Sequence, residues 1–148
     1  MPETNSHLLE LPNLFRTLVK KMSHEWNRNM GDTFSMTQFR TLYMLNERGP
    51  QKAAELADLL CVTSGAITGL ADKLIEKGLV GRERSEDDRR VVYLRITDPG
   101  KQVLEELREK QKETIARLFE GLPEEDILHL KRIFTTLLER VEPMDKKE

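Results

Sequence analysis

The sequence predicts a mainly α protein that carries one small β-hairpin wing. Three observations lead there. Apolar residues recur at three- and four-residue spacing through most of the 148-residue chain, the signature of helices with one buried face. After Gly78 the period drops to two over a short stretch, as in a half-buried strand. Gly and Pro residues fall at the points where one pattern gives way to the next.

In chain order, Leu11, Phe15, Leu18, Met22, Trp26 and Met30 form the stripe of a first helix, expected to end at Gly31 and Asp32. Pro12 suits its first turn, where a missing N–H costs nothing, so the main body is expected to begin there. Thr37 is placed to cap a second helix with Phe39, Leu42, Tyr43 and Leu45 on its apolar face, stopping before Gly49 and Pro50. Ala53 to Leu60 is a short third helix of strong helix formers. Thr63 or Ser64 can cap a fourth, with Ile67, Leu70 and Leu74 inward and Gly78 at its end.

Val92, Leu94 and Ile96 then alternate with Val91, Tyr93 and Arg95. Val80 to Arg84 is the available partner strand, and Ser85 to Arg90 becomes the hairpin loop. Asp98 followed by Pro99 reads as an N-cap and first helical position. Val103, Leu104, Leu107, Ile115, Leu118 and Phe119 give this fifth helix its stripe. Gly121, Leu122 and Pro123 break it. Glu124, Glu125 and Asp126 favour a new helix N-terminus, and Ile127, Leu130, Phe134, Leu137 and Val141 line the last helix.

Charged residues make up 34% of the chain and apolar ones 38%, enough for a core in one domain or two small interlocked lobes. The formal net charge is −2, so a nucleic-acid partner must be argued from local arrangement. No stretch approaches the roughly 18 apolar residues of a membrane span, and the start of the chain lacks the basic region and clean apolar run of a signal peptide. The single cysteine, Cys61, cannot form an internal disulfide. A cytoplasmic protein without membrane contact is the expectation.

Helix, turn, helix and a two-stranded wing make a winged helix-turn-helix. The run ELADLLCVTSGAITGLADKLIEKGLVGRE, from Glu55 to Glu83, and Asp88-x-Arg90 followed by a strand ending Ile96-Thr97-x-x-Gly100 resemble the MarR family, the multiple-antibiotic-resistance-type transcriptional regulators. Ile96 stands where that family usually has leucine. The outer helices are similar to the family's dimerisation lobe in order and length, so the resemblance covers essentially the whole chain. It implies a homodimer whose helical lobe, residues 1–33 and 101–148, intertwines with its copy. It also implies a winged helix-turn-helix lobe, residues 34–100, on each half of a palindromic operator. Many members release double-stranded DNA when a small, often aromatic or amphipathic effector binds between the lobes, so a repressor is expected.

Thr63, Ser64, Gly65, Thr68, Gly69 and Lys73 lie at the start of the fourth helix or opposite its buried face, where a major groove would meet them. Two glycines there cost roughly 1 kcal/mol each relative to alanine, which favours close approach to DNA over an ordinary exposed face. From Lys77 to Arg95 six basic residues face four acidic ones, so a uniform basic patch is not expected. Arg89 and Arg90 sit at the loop tip, where one arginine can enter a minor groove; otherwise the loop is a solvated turn. The Asp-x-Arg match selects Arg90, with Asp88 orienting it, and the acids are expected to point back toward the protein.

Cys61, between Leu60 and Val62, is expected as a small buried hydrophobe. His7, His24 and His129 show no ligand spacing, and no metal or cofactor motif occurs; a site at His24 and Glu25 across a dimer is the remaining metal option. Met22, Trp26, Met30, Phe34, Met36 and Phe39 cluster at the junction of the lobes, either as core or as walls of an effector pocket. No nucleophile, base and orienting group assemble, so an enzyme is not expected. The alternative to a DNA-binding regulator is a winged-helix protein-interaction module, against which Gly65, Thr68 and Gly69 argue because they offer little apolar anchor.

Overall fold

The computed structural model describes residues 5–30 and 33–145, with side chains to residue 141. The elements are α1 (Ser6–Met30), α2 (Met36–Arg48), α3 (Ala53–Leu60), α4 (Ser64–Glu76), β1 (Val80–Arg84), β2 (Val92–Ile96), α5 (Asp98–Leu118) and α6 (Glu124–Asp145). The described residues fall into two compact units, one within Met1–Thr114 and one within Ile115–Glu148. The expected stop at Gly31 and Asp32 lies outside the described residues.

Three helix starts differ from the expectation, each because a different side chain wins the cap. Asn5 begins α1: its Oδ1 accepts from the His7 N–H at 2.9 Å and its carbonyl accepts from Leu8 at 2.9 Å. Pro12 therefore lies inside α1 rather than in its first turn, and its ring nitrogen leaves the Leu8 carbonyl without an i→i−4 donor. Ser35, not Thr37, caps α2. Its Oγ accepts from the Gln38 N–H at 3.1 Å while the Gln38 side chain accepts from the Ser35 N–H at 3.0 Å, a reciprocal capping box. Thr97, not Asp98, caps α5, its Oγ1 accepting from the Gly100 N–H at 3.1 Å. The same hydroxyl donates to the Gly78 carbonyl at 2.7 Å, which no local pattern announces.

The turn between α3 and α4 corrects the reading of Cys61, which is exposed. Cys61 takes the left-handed conformation, φ 55 and ψ 46, and its N–H bonds to the Asp58 carbonyl while that of Val62 bonds to Ala57. This is a Schellman ending, in which the left-handed residue projects outward and the next residue packs inward. Val62 accordingly packs against the core.

The core is built around Leu42, Leu56 and Leu74, each fully buried, and such burial stabilises by about 1.5–3 kcal/mol per side chain. Tyr43, expected on the buried face of α2, sits at its rim, 38% exposed. β1 and β2 pair antiparallel from Val80 opposite Ile96 to Arg84 opposite Val92. Gln51 adds an isolated bridge to Leu94, with bonds of 3.0 and 2.8 Å, tying the α2–α3 connection to the hairpin. Leu104 and Leu107 of α5 close the core. Gly100 is buried directly against the Leu79 carbonyl: a Cβ there would lie 2.2 Å from that oxygen.

Candidate nucleic-acid interface

Thr63 caps α4 through its Oγ1, which accepts from the Ala66 N–H at 3.2 Å. The buried face is Ile67, Ala71 and Leu74, which leaves Ser64, Gly65, Thr68, Gly69 and Lys73 exposed together with Thr63. The Thr68 hydroxyl donates to the Ser64 carbonyl at 3.0 Å, so its lone pairs face outward while its rotamer is set by the helix. A Cβ added at Gly65 or Gly69 would meet nothing within 4 Å. Among the described residues no close contact requires glycine at either position.

In the wing, Ser85 organises the turn: its Oγ accepts from the Asp87 and Asp88 N–H groups at 3.2 and 3.4 Å. Asp88 turns back on Arg90. Its Oδ1 accepts from the Arg90 N–H at 3.0 Å and from Nε at 3.2 Å, and its Oδ2 accepts from the other end of the guanidinium at 3.4 Å. These bonds, the side-chain one first and the backbone one second, hold the Asp88 carboxyl below the usual carboxylate range. Arg90 itself is 91% exposed. Glu86 and Asp87 remain exposed and Asp88 spends its carboxylate on the exposed Arg90, so the acids do not turn back toward the protein body as expected.

Sequence reasoning missed Arg84, whose guanidinium donates to the Arg89 carbonyl at 3.0 Å and props the tip from within the hairpin. It also missed Arg82, which pairs with Asp72 and links the wing to α4. By strand alternation Arg82 and Arg84 share the face of Val80, Leu94 and Ile96, yet both are exposed, and nothing in the sequence pairs them with Asp72 or the Arg89 carbonyl.

Of the aromatic and methionine group, Trp26, Met30 and Phe39 are buried in the core, and Met22, Phe34 and Met36 are half-buried. The Trp26 indole N–H donates to the Phe34 carbonyl at 3.1 Å, and the Trp26 and Phe39 rings are 5.0 Å apart. His24 is exposed. Among the described residues no group of three or more His, Cys, Asp or Glu could hold a metal ion, and no single helix is long and apolar enough to cross a membrane.

The MarR family model matches residues 34–92, the segment that contains α2, α3, α4 and the hairpin loop. The uncharacterized HTH-type transcriptional regulator YpoP of Bacillus subtilis (strain 168) is 32% identical over 130 residues, covering 88% of this chain and 92% of that relative. The chain belongs to the MarR family. A second relative, the HTH-type transcriptional repressor MdtR of Bacillus subtilis (strain 168), is 30% identical over 139 residues, covering 94% of this chain and 88% of its own. The crystal structure of the transcriptional regulator BldR from Sulfolobus solfataricus superposes with a TM-score of 0.83 at 30% identity, covering 93% of this chain and 99% of BldR. As a MarR-family protein the chain is a winged-helix, DNA-binding transcription regulator rather than an enzyme.

Proposed function

We propose that this MarR-family regulator is a cytoplasmic homodimer that represses transcription from a palindromic operator and releases it when a small aromatic or amphipathic molecule binds. The observation that carries the reading is the exposed face of α4, small and hydroxylated residues ending in Lys73, flanked by a wing that holds Arg90 out on an Asp88-bonded turn. In the proposed arrangement α4 enters the major groove and Arg90 the adjacent minor groove.

Residues 34–100 would form the DNA-binding lobe, and residues 1–33 and 101–148 the dimerisation lobe. The dimer is supported by apolar side chains left exposed along α1 and α6, among them Leu9 at 67% and Leu138 at 64%. Exposed apolar surface on that scale marks a protein interface. A two-fold dimer imposes half-sites about one helical turn, ~10 bp, apart. Repression follows the reading of the relative MdtR, named a repressor. The half-buried Met22, Phe34 and Met36 at the edge of the aromatic group are the side chains proposed to meet an effector.

The test is selection of bound duplexes from a random DNA pool, with sedimentation of the same protein at micromolar concentration. An inverted repeat and a dimer are expected. A sedimenting monomer, or a pool without enrichment, would overturn the proposal.

A further inference from the structure

We propose that the cleft between the 33–38 segment and α4 grips a backbone phosphate of DNA, with Lys73 and Lys77 as its cations and Thr33 and Ser35 as its hydroxyl donors. The inference rests on the reading of α4 as the DNA-facing helix and adds a second contact element to it, at the start of α2. The cleft encloses about 550 Å³. It is lined by Thr33, Ser35 and Gln38 on one stretch of chain and by Gly65, Gly69, Lys73 and Lys77 on α4 and its C-cap.

Its chemistry is one-sided. Among the described residues, both charged side chains lining the cleft are lysines and no carboxylate lines it. The Lys77 Nζ donates to the Thr33 carbonyl at 2.8 Å and lies 4.4 Å from the centroid of the Phe34 ring, so its charge is already held at the rim. An ammonium has three donors, and that hydrogen bond uses one of them. Lys73 stands one turn earlier, about 6 Å along the helix axis. The Ser35 Oγ accepts from the Gln38 N–H, a bond that does not consume the hydroxyl proton. A group that only accepts and is negatively charged fits this set, and a phosphodiester is such a group.

The position of the cleft identifies the source of that phosphate. Gly65, Gly69 and Lys73 belong both to the cleft wall and to the face proposed to enter the major groove, so a duplex seated on α4 brings the bordering strand against the same wall. The glycines explain why the wall is open. Glycine weakens a helix relative to alanine, and neither position is crowded within the chain. The space they leave serves whatever approaches from outside.

The experiment titrates the full-length protein and its variants with a random-sequence duplex across a range of salt concentrations. Lys77→Gln should lower the salt slope by roughly 1 per protomer, equally for every sequence, and Lys77→Arg should keep the parent slope. Gly69→Leu should weaken binding at least tenfold while circular dichroism stays that of the parent. A parent that binds duplex alongside a Lys77→Gln variant with the parent slope overturns the cleft and leaves the α4 reading standing. A parent that binds no duplex overturns both. Inorganic phosphate at millimolar concentration is the third arm. If it raises the melting midpoint of the parent but not of Lys77→Gln, and the DNA slopes match, the cleft is a small-anion site and the assignment to DNA is wrong.

Discussion

Replacing Gly100 with alanine should destabilise this protein, and replacing Gly69 with alanine should not, although both residues sit in helices. At Gly100 the new Cβ would lie 2.2 Å from the Leu79 carbonyl oxygen and 2.7 Å from Cγ1 of Ile96. A carbon and a carbonyl oxygen in contact sit at roughly 3.3–3.6 Å, so one of the two must retreat by about 1 Å. The oxygen cannot do so freely, because it accepts the Thr97 N–H at 3.0 Å, the bond that joins the end of the hairpin to the start of α5. Overpacking costs about 1–3 kcal/mol and the strained hydrogen bond about 1 kcal/mol, against a helical gain of about 1 kcal/mol from alanine. The net loss is about 1–3 kcal/mol, or roughly 2–12 °C in melting midpoint for a chain of this size. At Gly69 the added methyl meets nothing, so only the helical gain remains, up to about 1 kcal/mol. Thermal and urea unfolding of both variants at one fixed protein concentration, which a dimer requires, would measure the difference. A Gly100→Ala protein that melts with the parent, or a Gly69→Ala protein that falls as far as Gly100→Ala, would refute the packing argument.

Arg90→Ala should leave fold and dimer intact, weaken operator binding, lower the salt slope by roughly 1 per wing and flatten any preference for A·T pairs at the flanks; titration against operators with changed flanks checks this. Thr68→Val should instead change preference within the half-site, read by repeating the selection from a random pool. The Asp88–Arg90 interaction depresses the Asp88 carboxyl, so it is fully present above the ordinary carboxylate range and is lost only as pH falls through the lowered value. The order of the wing turn, followed by NMR, should therefore not change between pH 8 and pH 5, whereas Asp88→Asn should loosen it at neutral pH.

Much of this fold was legible because its elements are long and strongly periodic, and because β2 alternates cleanly. The range of α3 and the strands Val80–Arg84 and Val92–Ile96 follow directly from pattern. What the pattern could not supply was competition between neighbouring caps. Asn5 precedes Pro12, Ser35 precedes Thr37, and Thr97 precedes Asp98; in the last two cases the earlier hydroxyl won because a partner three residues on completes its bonds. Cys61 was misplaced for a similar reason. Its apolar neighbours suggest burial, but the left-handed turn that ends α3 reverses which residue faces in. In the interface, the exposed face of α4 could be read from helical spacing. The props of the wing, Arg84 to the Arg89 carbonyl and Arg82 to Asp72, join residues that no spacing rule connects, and the cleft brings Thr33 and Ser35 beside α4 residues more than 25 positions away in the sequence.

The arrangement of these pairs bears on how a chain of net charge −2 could face a polyanion. Asp72 is paired with Arg82, Asp88 with Arg90, and Glu83 with Arg95 at 3.9 Å, so these carboxylates near the proposed interface are not presented bare to phosphate. All three pairs are largely exposed, and exposed ion pairs are weak because solvent and salt screen them. Weakness is what makes them exchangeable: an arginine held this loosely can move from its carboxylate to a phosphate at little net cost. The same weakness limits what Arg90 can add to affinity, since each contact it gains on DNA replaces one it already had with Asp88. Its contribution should therefore be felt more in where the wing sits, and hence in flank preference, than in total binding energy. Lys73 and Lys77 are different, because among the described residues neither of them forms a carboxylate pair, and a phosphate beside them displaces no such pair. On this reasoning the sequence-independent part of binding falls mainly on the cleft beside α4, and the discriminating part on Thr68 and Arg90.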